Sequence, residues 1–296
     1  MENILKRLRR GEVIVGDGAL GTMLMRNGLK QGDPPEGLNL TQAFILEDIA
    51  RQYLEAGAEI ISTNTFGASP LRLQQFSLEG EVEAINKSAV EAVRRAVQDR
   101  AYVSGSIGPS ACMIEPFGDT DPNEVFVSFR NQIRALVSAG VDMICIETMM
   151  DVAEAKLAIE AVRTISPDIP IMATMTFNKS PQGGYFTLMR TPIAAAVTAL
   201  EAAGADIVGS NCGDGMDKMV EIAREFQTVA KVPVAIQSNA GLPVSEAENL
   251  IYPETPEYTA GKAKELLQLG VQVIGGCCGT TPDHIREIRK IVDSYR

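Results

Sequence analysis

Three cysteines stand at the ends of two apolar runs in this chain of 296 residues. Cys277 and Cys278 follow the apolar residues 271–274 and a Gly-Gly pair, and Cys212 closes the run 206–211. Thiolate sulfur is a preferred zinc ligand, and a catalytic zinc keeps three protein ligands and one open position. The three thiols therefore predict a tetrahedral zinc site with one corner left for a substrate.

The two adjacent cysteines need a break in the strand that precedes them. Neighbouring residues of a regular strand point to opposite faces of the sheet, so Cys277 and Cys278 can share an ion only where the strand has ended or bulged. Glycines on both sides of the pair give the backbone that freedom. The alternative is that the thiols are small buried apolar groups, as free cysteine often is. We predict a core position for Cys145 and a loop or core position for Cys112.

Two carboxylates, Asp17 and Glu147, lie at the ends of otherwise apolar runs. A buried charge without a partner is costly, so we expect each carboxylate to have a partner of opposite charge. An amino acid with a thiol would place its ammonium group on the carboxylates and its sulfur on the metal. The alternative is a carboxylate pair for glycoside hydrolysis, for which we find no supporting aromatic platform in a chain with 5% aromatic residues.

Two other motifs predict no chemistry of their own. The single histidine, His284, follows Thr281 and Pro282, which suit the N-cap and first turn of a helix. We therefore predict a helix-start residue without a catalytic role. Residues 16–21 match the Gly-x-Gly-x-x-Gly pattern of dinucleotide-binding folds, but no clear βαβ unit with an acidic residue about 20 positions further on accompanies them. We interpret them as a tight strand exit that turns Asp17 toward a pocket.

Eight apolar runs alternate with amphipathic stretches along the chain. The predicted strands cover residues 13–20, 59–66, 101–109, 142–148, 170–177, 206–212, 234–239 and 271–276. The predicted helices cover residues 43–55, 80–98, 123–138, 151–164, 192–203, 215–230, 256–269 and 282–294. Near-continuous apolar strands are typical of a parallel sheet covered on both faces. The pattern predicts a single-domain (β/α)₈ TIM barrel over residues 1–296, with a doubly wound open sheet as the alternative.

Functional groups of such barrels lie where the strands end and the next loops begin. Polar or reactive residues occupy these positions throughout the chain. They are Asp17, Ser62, Thr63, Asn64, Ser106, Glu147, Asn211, Cys212, Asn239, Cys277 and Cys278. The sequence predicts that all of them face one mouth of the barrel.

Composition excludes several classes of protein. The net charge is −11, and the one basic cluster, residues 6–10, reads as the solvated face of an opening helix, so we expect no nucleic-acid partner. No apolar segment reaches the ~18 residues of a membrane span, and the N-terminus has no apolar signal core. We therefore expect a cytoplasmic protein with no membrane partner, whose five cysteines are thiols or metal ligands rather than disulfides.

Seven motifs together resemble the homocysteine S-methyltransferase family, from about residue 10 to residue 292. They are Asp17-Gly18-Ala19-Leu20-Gly21-Thr22, Thr63-Asn64-Thr65-Phe66-Gly67-Ala68-Ser69, Ser106-Ile107-Gly108-Pro109, Glu147-Thr148, Asn211-Cys212-Gly213, Asn239-Ala240-Gly241-Leu242-Pro243 and the stretch 275–285. The likeness is greatest to the homocysteine-binding barrel of cobalamin-dependent methionine synthase, whereas enzymes that use betaine or S-methylmethionine are more distant.

The resemblance implies a specific site. Cys212, Cys277 and Cys278 would hold Zn²⁺, and Asp17 and Glu147 would meet the amino group of L-homocysteine. The backbone at Gly18 and the segment Ser62–Thr63 would hold its carboxylate, and Asn211 and Asn239 would be polar groups of the pocket. The implied activity is methyl transfer to the homocysteine thiol, which yields methionine.

The methyl donor stays open at the level of sequence. Methylcobalamin on a separate corrinoid protein is the first expectation, and a small sulfonium or betaine donor is the second. The chain ends after the eighth predicted helix, so we expect an excised domain or a small stand-alone enzyme. Two rival functions also stay open: a non-catalytic zinc- or thiol-binding module, and a hydrolase with zinc-activated water, although that role more often uses histidine and carboxylate ligands.

Overall fold

A ring of eight parallel strands forms the centre of the protein. The computed structural model describes residues 1–30, 32–246 and 249–295. The strands are Ile14–Val15, Ile60–Ser62, Tyr102–Ile107, Met143–Met149, Ile171–Met175, Ile207–Cys212, Val234–Ser238 and Val273–Gly276. Each strand pairs in parallel with the next one along the chain, and the last pairs with the first. A parallel bridge between Gly16 and Ile60 joins the first strand to the second, so the sheet is a barrel and the open-sheet alternative is excluded.

Helices surround the barrel. The eight long helices after the strands are Ala43–Glu55, Val82–Val97, Pro122–Ala139, Val152–Ile165, Ile193–Ala203, Met216–Val229, Pro256–Gln268 and Pro282–Tyr295. All eight were predicted, with ends within two residues. The joints that follow them explain this accuracy, because Gly140 (φ +89°) and Gly204 (φ +104°) adopt the left-handed conformation at the C-cap.

Four further short helices are Ile4–Arg9, Leu20–Arg26, Leu38–Thr41 and Pro70–Leu73. The first of them closes the end of the barrel opposite the mouth. Its Ile4 and Leu8 are buried in a cluster with one or two residues from every strand. Cys145 is buried in this cluster, away from the other thiols. The basic run 6–10 is solvated as predicted except at Arg7, which is half-buried and pairs with Glu59 at 2.6 Å.

The structure differs from the sequence prediction in the loops. The first strand was predicted to reach residue 20, but it ends at Val15 and Leu20 begins a helix. Two unpredicted hairpins extend the loops after the fifth and seventh strands. They pair Asn178–Lys179 with Tyr185–Phe186, and Val244–Glu246 with Asn249–Ile251. Within the described residues, no helix has both the length and the apolar character needed to cross a lipid bilayer.

Candidate functional site

The three thiols converge at the mouth of the barrel. Cys212 is the last residue of its strand, and Cys277 and Cys278 directly follow the last strand. Their sulfur atoms all lie within 4.8 Å of one another. A tetrahedral zinc with Zn–S bonds of about 2.3 Å has sulfur atoms about 3.8 Å apart. The thiols therefore fit the ion with only a small contraction, and the donor set is one that zinc prefers.

A tight turn brings the two adjacent cysteines to one ion. The Cys277 N–H still donates to Ser238 in the neighbouring strand, at 2.7 Å. The Cys277 carbonyl then accepts hydrogen bonds from the Thr280 N–H at 3.1 Å and from the Thr280 hydroxyl at 2.7 Å. Gly279 completes the turn with φ +81°. The sheet thus ends at Cys277. This is the break in the strand that two adjacent cysteines need in order to share one ion.

The thiols share their protons. Hydrogen bonds from Cys277 and Cys278 lower the pKa of Cys212, whereas the same contacts with Cys212 raise the pKa of the other two thiols. Among the three thiols, the contacts therefore favour the thiolate form most at Cys212. Zinc binding needs all three sulfurs deprotonated, so loading is coupled to proton release.

Asp17 is a buried carboxylate at the exit of the first strand. It is 3% exposed and accepts hydrogen bonds from the Ser62 N–H at 2.7 Å and the Ser62 hydroxyl at 3.1 Å. Burial, with a smaller contribution from the charge of Glu147, raises the pKa of Asp17 to about 7 against the lowering effect of the Ser62 bonds. A nearby cation would restore the charged form. Among the described residues, Asp17 therefore has no cationic partner that would favour its charged form.

Glu147 is the second acidic group. It accepts a hydrogen bond from the Ser106 hydroxyl on the neighbouring strand. Its pKa is raised by burial, and the thiolate charge of Cys212 adds to the shift. Because the charge of Glu147 acts on Asp17 and the charge of Cys212 acts on Glu147, the carboxylates and the thiols share one electrostatic environment.

A profile of the family described as Homocysteine S-methyltransferase matches residues 14–292. The chain belongs to the homocysteine S-methyltransferase family. Two curated methionine synthases are similar to it, each with 33% identity, from Mycobacterium leprae over 95% of this chain and from Mycobacterium tuberculosis over 96%. The chain spans only 24% and 25% of the length of these two relatives.

Solved structures support the fold of this family member. The metallated form of the homocysteine methyltransferase MmuM from Escherichia coli has a TM-score of 0.81 and 20% identity over 98% of this chain and 99% of that one. A methyltransferase from Methanosarcina mazei has a TM-score of 0.63 and 12% identity over 99% of both chains. At these identities the likeness shows a shared single-domain barrel, and it adds nothing on the residues of the site.

The Ser62–Thr63 segment, whose part in substrate binding stays a prediction, has its backbone N–H groups engaged within the protein. The N–H groups of Ser62 and Thr63 are not available to a substrate carboxylate, because they donate to Asp17 and to the Ser104 carbonyl. The Thr63 hydroxyl is buried against Thr65 at 2.7 Å. This segment therefore positions Asp17 and joins two strands.

The remaining predicted residues lie around the same mouth. Gly18 packs so closely that a Cβ atom would lie 2.7 Å from the Thr280 hydroxyl. Asn239 is 5% exposed, donates to the Gly213 carbonyl at 2.6 Å, and leaves its amide oxygen without a donor among the described residues. That oxygen is a buried acceptor without a hydrogen bond from the described residues. His284 bonds through both ring nitrogens, to Thr281 and to the Glu254 carbonyl, in agreement with a structural role.

Asn211 connects the thiols to the strand end that carries Glu147. Its amide oxygen accepts from the Thr148 N–H at 2.7 Å and the Thr174 hydroxyl at 2.9 Å. Its amide nitrogen donates to the Thr148 hydroxyl at 2.7 Å and lies 3.8 Å from the Cys277 sulfur. The sequence placed Asn211 at the mouth and included Thr148 in the Glu147-Thr148 motif, but it predicted no contact between the two residues; Thr148 adopts φ +58°.

We expect Asn211→Ala to weaken zinc binding about 10- to 100-fold, the usual cost of losing a group that orients a metal ligand. The unfolding free energy should fall by about 2–3 kcal/mol, because the partners of Asn211 stay buried without hydrogen bonds. Competition with a chromophoric chelator and chemical denaturation measure the two effects. Asn86→Ala is the matched control, since Asn86 is fully buried and donates twice to backbone carbonyls. It should lose stability and keep its zinc affinity.

Proposed function

We propose that this barrel transfers a methyl group to the sulfur of L-homocysteine, giving methionine, with zinc held by Cys212, Cys277 and Cys278. One observation carries the proposal: in a member of this family, three thiols within 4.8 Å of one another share a barrel mouth with the buried Asp17 and the half-buried Glu147, two carboxylates with no cationic partner among the described residues. A thiol amino acid supplies the missing partner of both.

When bound, zinc would keep the homocysteine thiol deprotonated at pH 7, where a free thiol with a pKa of ~8.5 is mostly protonated. The chain's own residues bind and orient the substrate. Asp17 and Glu147 accept the ammonium group, while Ser62 and Ser106 fix the direction of the two carboxylates. Asn239, whose amide oxygen has no donor among the described residues, is a further candidate contact for the substrate. Fixed binding of the amino-acid end places the sulfur in line with the donor.

The transfer itself is a nucleophilic displacement. The sulfur lone pair of homocysteine forms the new S–CH₃ bond as the bond between the methyl carbon and the donor breaks, and the donor retains that electron pair. The thiol proton has left the sulfur before this step. No oxidant or reductant is required, so the chain needs to supply position and electrostatics only.

Methylcobalamin on a separate corrinoid protein is our first choice of donor. Similarity to methionine synthases that are about four times longer supports it. Exposed apolar side chains in the loops that surround the mouth also support a large donor, since such patches mark interaction surfaces. They are Phe66, Met113, Phe117, Met150, Leu188 and Leu242. A small sulfonium or betaine donor is the alternative. We place the reaction in the cytoplasm, where thiols stay reduced.

A panel of methyl donors tests the proposal. Zinc-loaded protein is incubated with homocysteine and with methylcobalamin, a methylated corrinoid protein, S-methylmethionine or betaine, and methionine is measured. Zinc-edge spectroscopy with and without homocysteine is recorded on the same sample. We expect one zinc per chain, an added sulfur ligand with homocysteine, and methionine from the corrinoid donors. Unchanged coordination would contradict substrate activation, and bound zinc without transfer from any donor would indicate a binding module.

The affinity for the amino-acid end should depend on pH. Asp17 has a pKa of about 7 in the free protein, and only its ionised form pairs with an ammonium group. Binding of L-norleucine, which has no thiol, should therefore strengthen about tenfold per unit as pH rises toward 7 and level off above it. Calorimetry between pH 5.5 and 8.5 measures this profile. A flat profile would show that Asp17 does not meet the ammonium group.

A further inference from the structure

Thr280 is a buried residue that no part of the proposed chemistry uses. It follows the paired cysteines by two positions and is 0% exposed. Its hydroxyl donates to the Cys277 carbonyl at 2.7 Å and accepts from the Ala19 N–H at 3.1 Å. One side chain thus contacts both the turn that carries the thiols and the segment that carries Asp17.

The backbone of Thr280 repeats the same connection. Its N–H donates to the Cys277 carbonyl at 3.1 Å, and its carbonyl accepts from the Ala19 N–H at 3.2 Å and from the Tyr53 hydroxyl at 3.1 Å. All of these groups lie in a buried region, where polar contacts are strong and costly to leave unmade. Movement of the cysteine turn must therefore be transmitted to Ala19.

Two glycines leave room for this side chain and no more. A Cβ atom at Gly276 would lie 2.1 Å from the Thr280 hydroxyl, and one at Gly18 would lie 2.7 Å from it. Gly276 precedes Cys277, and Gly18 follows Asp17. The hydroxyl is thus enclosed by residues directly adjacent to a thiol on one side and to a carboxylate on the other.

We infer that Thr280 is a positioning residue that couples the metal-binding thiols to the amino-acid side of the pocket. The inference rests on the proposed function. Zinc bound at Cys277 and Cys278 immobilises their turn. Through the hydrogen bonds of the Thr280 hydroxyl, the segment 17–19 also becomes less mobile. The amino-acid end then binds to a carboxylate that is already fixed, so it loses less conformational entropy. By linkage, the amino acid strengthens zinc binding by the same factor.

The coupling is measured with a ligand that cannot touch the metal. L-Norleucine has the amino-acid end and no sulfur, and its Kd is determined by calorimetry on the full chain with and without zinc. We expect zinc to strengthen norleucine binding at least about fivefold in the wild type, the lower end of usual coupling factors. Thr280→Val should reduce the factor to below about twofold, and Thr280→Ser, which keeps the hydroxyl, should restore it.

Thr281→Val is the matched control. Thr281 is also buried, but its hydroxyl bonds to His284 at 3.0 Å and not to the pocket. An electrostatic effect of the zinc charge, or a general loss of stability, would act on both valine variants. Equal coupling factors in Thr280→Val and Thr281→Val would therefore overturn the inference.

A second measurement needs no variant. Zinc alone should slow hydrogen exchange at the Ala19 amide of the wild-type protein at least about fivefold, because that amide bonds to Thr280. Unchanged exchange at Ala19 in zinc-loaded protein would overturn the inference and leave the proposed function standing. Zinc-loaded wild type that binds neither norleucine nor homocysteine would overturn the proposed function itself.

Discussion

Replacing Cys278 with serine should abolish zinc binding at micromolar metal and reduce methionine formation to background. The sulfur atoms of the three cysteines lie close together. They form the only cluster of three or more possible metal ligands among the described residues. Serine matches cysteine in size but is a poor zinc ligand at neutral pH. Loss of a direct ligand should exceed the about 10- to 100-fold cost of losing a group that only orients one. We expect zinc content to fall from one per chain to below a tenth, measured by mass spectrometry after dialysis.

Cys112→Ser is the control for this experiment. Cys112 is a half-buried free thiol in the loop after the third strand, outside the cluster. It should keep one zinc per chain and full activity. Circular dichroism of both variants checks that the barrel is intact. If the Cys278 variant retained stoichiometric zinc, the metal would have to use other ligands, and the proposed site would be wrong.

The positions of the thiols could be predicted because local sequence decides them. A strand that runs into Gly-Gly-Cys-Cys-Gly must end there, and the parallel barrel brings all strand ends to one mouth. The same reasoning located Asp17, Glu147, Asn211 and Asn239. The alternation of apolar runs with amphipathic stretches was likewise sufficient to predict the closed barrel and its eight outer helices.

The hydrogen bonds around the site could not be predicted, because they join residues far apart in the chain. Thr280 and Ala19 are 261 positions apart, and Asn211 and Thr148 are 63 apart. Sequence spacing carries no information on such pairs. For the same reason the sequence carried no sign that the Ser62 and Thr63 N–H groups donate to Asp17 and to Ser104. The hairpins depend on loop contacts in the same way, for example between Tyr185 and Glu221 at 2.7 Å.

Asp17→Asn should weaken homocysteine binding while it stabilises the free protein. The substrate ammonium group loses a buried charged partner, which costs about 2–5 kcal/mol, so kcat/KM should fall about 30-fold or more. The fall should lie mainly in KM, because Asp17 binds the amino-acid end and does not touch the sulfur. Steady-state kinetics at several homocysteine concentrations separate the two parameters.

The stability effect follows from the pKa of Asp17. Its folded-state pKa is about 7, above the ordinary aspartate value of 3.8, so the folded protein binds the proton more tightly than the unfolded chain does. Ionisation therefore destabilises the fold: stability is full below pH 4 and declines as pH rises to 7. Asparagine removes this loss, and the variant should exceed the wild type by up to about 4 kcal/mol above pH 7. The difference should vanish near pH 4 in chemical denaturation.

Glu154→Gln separates a pocket effect from the general effect of a buried acid. Glu154 is 5% exposed, its pKa is raised by burial, and it accepts from the Ser110 N–H at 2.7 Å. Both variants should gain stability at high pH, because both remove a desolvated carboxylate. Only Asp17→Asn should raise KM, because, of these two residues, only Asp17 pairs with the substrate ammonium group. Its buried charge lowers the stability of the fold but is needed for binding. A stabilised Asp17→Asn variant with unchanged KM would assign the ammonium group to Glu147 alone.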